Sequence, residues 1–300
     1  MDPERALREL GGAGRGEEVL AAGVGWPALR AATRGGIVLR PAYGTYAIPG
    51  TPQAIVAAAS LRGQVSCVSA CAWWGLRQIS EPSAVHIAVP QTRSLQAGRV
   101  RALGLRGVHH TCSPDLAARV ERVVTAVDHA AWCTTPLEQL VLLDSALEFG
   151  RIEPHQLSEL VTGADARRAW LHANASRRSQ SVSETVARAA LSAAGLRPTE
   201  QVHHDGVGTV DLGVGRRYSI EIDGFEHHGT KSAFAEDRRR DRAMAAKRRW
   251  TLRYTYWDVV RDPRAFAMDV AEIVGVRIHA RFNARMDWMM RRPPGALAAR

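Results

Sequence analysis

Residues 209–228 read Thr-Val-Asp-Leu-Gly-Val-Gly-Arg-Arg-Tyr-Ser-Ile-Glu-Ile-Asp-Gly-Phe-Glu-His-His, TVDLGVGRRYSIEIDGFEHH. Apolar and charged residues alternate at period two, so Ile220 and Ile222 point to one face of a strand and Glu221 and Asp223 to the other. Asp211, between Val210 and Leu212, occupies the equivalent place on a preceding strand, with a turn around residues 213–217 between them. Cross-strand neighbours in an antiparallel pair approach to about 5 Å at Cβ. Asp211, Glu221 and Asp223 are therefore expected on one side of one hairpin. A solvated sheet edge would explain them, and so would a site for a cation.

Three carboxylates that close repel one another unless protons or a cation neutralise them. Hard oxygen donors suit Mg²⁺, with Mn²⁺ as an alternative. The chemistry such a site serves is phosphodiester hydrolysis, in which the metal polarises the phosphate, orients a water and stabilises the leaving oxygen. His228, just past the turn, is placed for general acid–base work near neutral pH. Downstream, AEDRRRDRAMAAKRR reads as a basic helix whose Arg238, Arg239 and Arg242 suit a phosphate backbone.

The order around the hairpin is helix 184–194 stopped by Gly195, strands near 200–204, 209–214 and 217–223, a helix at about 232–248, strand WTLRYTYW and helix 263–274. This is an αβββαβα pattern over 178–276. It resembles the Vsr-like (very-short-patch-repair) branch of the PD-(D/E)XK endonucleases, on VDLGVGRRYSIEIDGFEHH followed by EDRRRDRAMAAKRRWTLRYTYWDV. The resemblance implies a restriction-endonuclease-like fold with Asp211 as central metal ligand and Glu221 as a second. It also implies Asp223 as a catalytic turn residue, His228 as a catalytic histidine and Glu184 as a further carboxylate of the site, with Asp237 and Arg240 as supporting polar residues. The lysine usual two residues after the Glu is Asp223 here, with Lys231 a nearby substitute. Glu184 also reads as the partner of Ser181 in a capping box.

Residues 1–50 read as three helices and a hairpin: one from Pro3 ended by GGAG, one from Glu17 to Ala22, and one opened by Trp26-Pro27, with Gly44 between two tyrosines in the turn. That is a winged helix-turn-helix, with Arg30 and Arg34 on the third helix and Arg40 near the wing as DNA contacts. A small helical domain binding only protein is the alternative. The pattern resembles the N-terminal domain of AbiEi-type antitoxins. Residues 51–172 then read as an AbiEi-like middle α/β domain. Its elements are a helix in QVSCVSACAWWGL, strands in AVHIAVP and RALGLRGVHHT, and a helix from Pro136 capped by Thr135 and Glu138, with a buried stripe of Leu137, Leu140, Val141 and Leu147. His109 and His110 face opposite ways on their strand and do not share an ion. The polar NASRRSQS reads as a linker, and 277–300 as a basic tail, helical at first and disordered after Pro293-Pro294.

The chain is thus expected to be an α+β multidomain protein. Its 46% hydrophobic content supports real cores. The net charge of +10 points to a polyanion, although an Arg-rich genome produces the same balance. No run of about 18 apolar residues suggests a membrane span, and the charged MDPERALREL does not resemble a signal peptide. Cys67, Cys71, Cys112 and Cys133 contain no CxxC pair; Cys67 and Cys71 share one helix face, so a core role in a reducing cytoplasm is expected and a zinc site is not. The expected function is a Mg²⁺-dependent DNA endonuclease guided by a winged helix, in defence or repair. The alternative is a non-enzymatic AbiEi-type regulator with a toxin or other protein partner. DNA is the partner in either case, with a homodimer left open.

Overall fold

The computed structural model describes residues 1–82, 84–95, 100, 103, 105–111, 118–223 and 231–293, without the side chains of 105–111 and 231–237. His228, Cys112, the side chains of His109, His110, Lys231 and Asp237, and the segment after Pro293 lie outside the described residues. The chain is a mixed α/β protein. Its described residues divide into two compact units, one holding 1–76 and 80–133, the other 77–79 and 134–293.

The first unit opens with α1 (Pro3–Glu9), where Asp2 accepts a hydrogen bond from Arg5 N at 3.0 Å and caps the helix. Strand β1 (Ala13–Arg15) follows directly, then α2 (Gly16–Ala21) and α3 (Trp26–Arg34). β1 was not expected: its glycines read as a helix stop, and three residues are too few to show a period of two. It forms because Ala13 to Arg15 pair with β3 (Thr45–Ala47), which pairs in turn with β2 (Leu39–Ala42), all antiparallel. Gly44, at φ 69°, makes the β2–β3 turn. Leu7, Val19, Leu29, Val38 and Tyr46 form a core where the helices meet this sheet. The unit continues through α4 (Gln53–Leu61), β4 (Gln64–Val65), α5 (Cys67–Trp73), β5 (Val85–Pro90), β6 (Leu105–Thr111) and α6 (Val123–His129). Its second sheet has the order β4-β5-β6, with β5 and β6 parallel.

The second unit begins with α7 (Pro136–Glu148). Thr135 Oγ1 accepts from Glu138 N at 3.1 Å and Glu138 Oε2 from Thr135 N at 2.7 Å, a reciprocal cap. The helix does not bury one stripe. Leu142, Leu143, Ala146 and the polar Gln139, Asp144 and Ser145 are buried as well, because α8 (Asp165–Asn174), α9 (Val182–Ala194) and α13 (Phe282–Met289) all pack on it. This packing takes α7 and α8 away from the preceding segment, so the division falls at Cys133/Thr134 and not at residue 172.

The stretch read as a linker is held in place by buried polar groups. Asp144 accepts from Ser176 N at 2.8 Å and from Arg188 Nη2 at 2.5 Å, while Arg188 Nε lies 3.1 Å from Glu200 and Arg188 Nη1 donates to Asn174 O at 2.6 Å. Glu200 also accepts from the hydroxyls of Ser176 and Ser179 at 2.7 and 2.6 Å. Buried groups of this kind must be paired, and here the linker supplies the partners.

α9 ends at Gly195, φ 96°, and leads to β7 (Pro198–His204), β8 (Gly208–Val214) and β9 (Tyr218–Asp223). Helix α10 (Lys231–Ala246) precedes β10 (Trp250–Thr255), which lies parallel to β9 in a sheet of order β10-β9-β8-β7. β10 is shorter than WTLRYTYW. Thr255 and Asp258 form a reciprocal cap that starts α11 (Tyr256–Arg261), and α12 (Pro263–Val274) follows. Among the described residues, no helix is long and apolar enough to cross a membrane.

Candidate functional site

On the β8–β9 pair, Leu212 faces Ile220 in register, and Val210, Leu212, Val214 and Ile220 are buried. The acidic residues take the other parity. Asp211 Oδ2 accepts the Ile222 N–H at 2.7 Å, which fixes the carboxylate across the strand pair. Burial pushes its carboxyl above the usual range and the charge of Asp223 adds to this, while the Ile222 N–H and Arg240 oppose it. Asp223 ends β9 in an exposed position.

Glu184 enters from the first turn of α9 and is 7% exposed. Ser181 Oγ accepts its N–H at 3.1 Å, but its carboxylate reaches Gln180 N and Gln201 Nε2, both at 2.9 Å, so it does not close a capping box with Ser181. Burial raises its carboxyl, and the charge of Asp211 contributes to the rise. Asp211 thus feels the charge of Asp223, and Glu184 that of Asp211.

Glu221 has a different environment. Arg240 Nη2 meets Oε1 at 2.6 Å and Arg253 Nε meets Oε2 at 3.2 Å. Arg253 stands opposite Glu221 in the β9–β10 register and also holds Asp241 at 2.6 Å, and Asp241 is 3.5 Å from Arg238. Arg253 is the first cause that draws the Asp241 carboxyl below its usual value. Of the carboxylates expected to hold metal, Asp211 is left with acid neighbours and Glu221 with two guanidinium groups.

Gln201, Asp241 and Arg253 were not anticipated. Arg253 shares the parity of Glu221 only because β10 pairs with β9, and local periodicity carries no information about pairing. Gln201 sits at φ 50°, unusual for a residue other than glycine, and lies between the pairs Glu200–Leu212 and Val202–Val210. On α10, Arg239 donates to Gly206 O at 2.8 Å, whereas Arg242 is exposed with no ion pair among the described residues.

In the first unit, Arg30 and Arg34 lie one turn apart on the exposed side of α3, with no ion pair among the described residues. Arg40 lies over Tyr43 at 5.4 Å. Exposed Trp26, Ile37, Leu39 and Tyr43 accompany them.

A group of side chains able to ligate a metal lies within the first unit. Ligand atoms of Cys67, His86 and Cys133, all buried, are within 4.8 Å of one another. No motif signals the group, since its members come from α5, β5 and the end of a short 3₁₀ turn at Ala130–Trp132. No protein-family model matches the chain, and no curated protein or solved structure does either.

Proposed function

We propose that the chain is a metal-dependent DNA endonuclease, with a restriction-endonuclease-like nuclease in the second unit and a winged helix in residues 1–50 that brings it to duplex DNA. One observation carries the reading: Glu184 and Asp211 are carboxylates withdrawn from water, held by N–H donors, and raised by burial and acid neighbours. Among the described residues no arginine is hydrogen-bonded to either, and of the nearby charges only that of Arg240 opposes the rise at Asp211. Keeping such charge uncompensated costs stability and is a mark of functional sites.

The donors are hard oxygens of the kind Mg²⁺ or Mn²⁺ takes. Glu184, Asp211 and Asp223 do not bring three oxygens within 4.8 Å of one another, so Asp211 would hold the ion together with waters and the substrate phosphate. The bound metal supplies polarisation of the phosphate and orientation of the attacking water. The chain's own groups do the positioning. The Ile222 N–H fixes Asp211, Gln180 and Gln201 orient Glu184, and Arg240 and Arg253 hold Glu221 beside the site. Arg242 on α10 and Arg30 and Arg34 on α3 offer exposed cations to the phosphate backbone. His228, outside the described residues, is retained as the proposed acid–base group, and the cytoplasm as the compartment.

The capture of Glu221 by two arginines favours a second reading, a DNA-binding regulator resembling AbiEi antitoxins whose nuclease-like unit does not cut. The two separate on cleavage of supercoiled, linear and single-stranded DNA with Mg²⁺ or Mn²⁺, wild type beside Asp211→Asn. Metal-dependent cutting lost in the variant is expected. Equal duplex binding by both proteins with no cutting of any substrate would install the regulator instead.

A further inference from the structure

We propose that Cys67, His86 and Cys133 bind one Zn²⁺ ion inside the first unit, separate from the acidic site of the second. Cys67 begins α5, His86 lies on β5, and Cys133 follows the 3₁₀ turn, so three elements converge. Cys133 Sγ is 3.4 Å from His86 Nδ1, and all the ligand atoms fall within 4.8 Å of one another. Zn–S bonds of about 2.3 Å and Zn–N bonds of about 2.0–2.1 Å place two ligands of one tetrahedral ion on the order of 3.5–4 Å apart. The group is near that spacing without a change of fold.

Charge balance asks for a divalent ion, and thiolate with imidazole in tetrahedral spacing suits Zn²⁺. Two thiolates and a neutral imidazole around Zn²⁺ sum to zero, and a neutral cluster is what a buried site tolerates. Cu⁺ on the same ligands leaves a buried negative charge, and Mg²⁺ disfavours sulfur. Loading releases one proton from each thiol and moves no electrons; the imidazole contributes its lone pair, and water takes the fourth position. The surroundings orient the ligands as outer-shell groups do. Cys67 is held at φ 55°, its N–H donates to Glu121 Oε2 at 3.2 Å, and Glu121 Oε1 is bound by His129 Nδ1 at 2.8 Å. Cys71, one turn beyond Cys67 and also buried, is not a member of the group. It provides the matched control.

The test uses the reduced full-length protein, dialysed with Zn²⁺ and then into metal-free buffer, with metal content measured by mass spectrometry. One equivalent is expected in wild type and in Cys71→Ser, and a loss of at least tenfold in occupancy for Cys133→Ser and His86→Gln. Co²⁺ in place of Zn²⁺ should give a thiolate charge-transfer band in wild type that Cys133→Ser lacks. Because the variants could misfold, the wild type is also melted with and without Zn²⁺; a higher midpoint supports the site. Metal-free wild type with intact thiols, a midpoint indifferent to Zn²⁺, a Cys67–Cys133 disulfide, or undiminished zinc in Cys133→Ser would each overturn it. None of these readouts depends on DNA cleavage.

Discussion

Within the second unit, one group of carboxylates is neutralised by arginine and another is not. Asp144 and Glu200 share Arg188, and the remaining oxygen valences are filled by Ser176, Ser179 and Thr185. Glu184 and Asp211 are also withdrawn from water, yet they face acid, and their hydrogen bonds come from amides. The first arrangement ties α7, the 173–180 stretch, α9 and β7 into one body. The second leaves negative charge concentrated where two strands and a helix end meet. Even full pairing does not cancel burial: Asp144 is pushed up to about 6, with desolvation outweighing Arg188. Scaffold and site therefore differ in whether an arginine is hydrogen-bonded to the acids.

Breaking the scaffold cluster should have the largest effect. Arg188→Met leaves the buried Asp144 and the half-buried Glu200 without their cation, and removing one partner of a buried pair costs about 3–5 kcal/mol. Chemical denaturation followed on the second unit should register that loss. Adding Asp144→Leu should restore part of it, since the deeper of the two charges is then gone and Glu200 keeps the hydroxyls of Ser176 and Ser179. A cost under about 1 kcal/mol for Arg188→Met would mean that solvent reaches the cluster and that residues 134–174 are not anchored through it.

Glu221 lies between the two types, an acid of the proposed site with arginines of the scaffold kind. Glu221→Gln keeps the shape and one acceptor for Arg240 or Arg253. If Glu221 positions rather than ligates, cleavage should fall about tenfold to a hundredfold, the range of outer-shell substitutions, while Asp211→Asn leaves no detectable cutting. Equal, complete loss in both variants would make Glu221 a ligand that exchanges its arginines for metal on loading.

Much of this was legible in the sequence, for reasons that differ by element. The β8–β9 hairpin declares itself because strict alternation around Asp211 and Glu221 has no helical counterpart, and the Thr135–Glu138 cap is a local four-residue signal. Strand β1 and the end of β10 were not legible, the first because pairing with β3 creates it, the second because Thr255 and Asp258 cap a new helix within an apparently continuous β run. The four residues of the α7 stripe are buried as expected, but so is most of the rest of the helix, because an element enclosed on nearly all sides shows no single face. The acids at 211, 221 and 223 were found by parity, but their sorting into ligand-like and arginine-bound depends on Arg240 and Arg253. The Cys67–His86–Cys133 group is a product of tertiary structure alone, which the absence of a CxxC pair could not reveal.

The smallest effect is the most specific to the comparison. Burial holds Asp211, Glu184 and Asp144 above their usual values, so each binds its proton more tightly folded than unfolded. In linkage terms the native state then carries more protons than the unfolded one, and stability falls as pH rises. That contribution is fully present below the ordinary carboxylate value near about 4 and is lost through the raised values, which for Asp144 means by about 6. Asp211→Asn removes one of the three acids, keeps an oxygen to accept the Ile222 N–H, and relieves Glu184 and Asp223 of a like charge. At neutral pH without metal, the variant should melt about 1–3 °C above wild type, and the downward slope with pH should be shallower. Mg²⁺ should then raise the wild-type midpoint and leave that of Asp211→Asn unchanged, because only the wild type retains the uncompensated charge that a cation can repay. If Asp211→Asn instead melts lower than wild type, the bond to Ile222 outweighs the repulsion and Asp211 belongs with the scaffold acids.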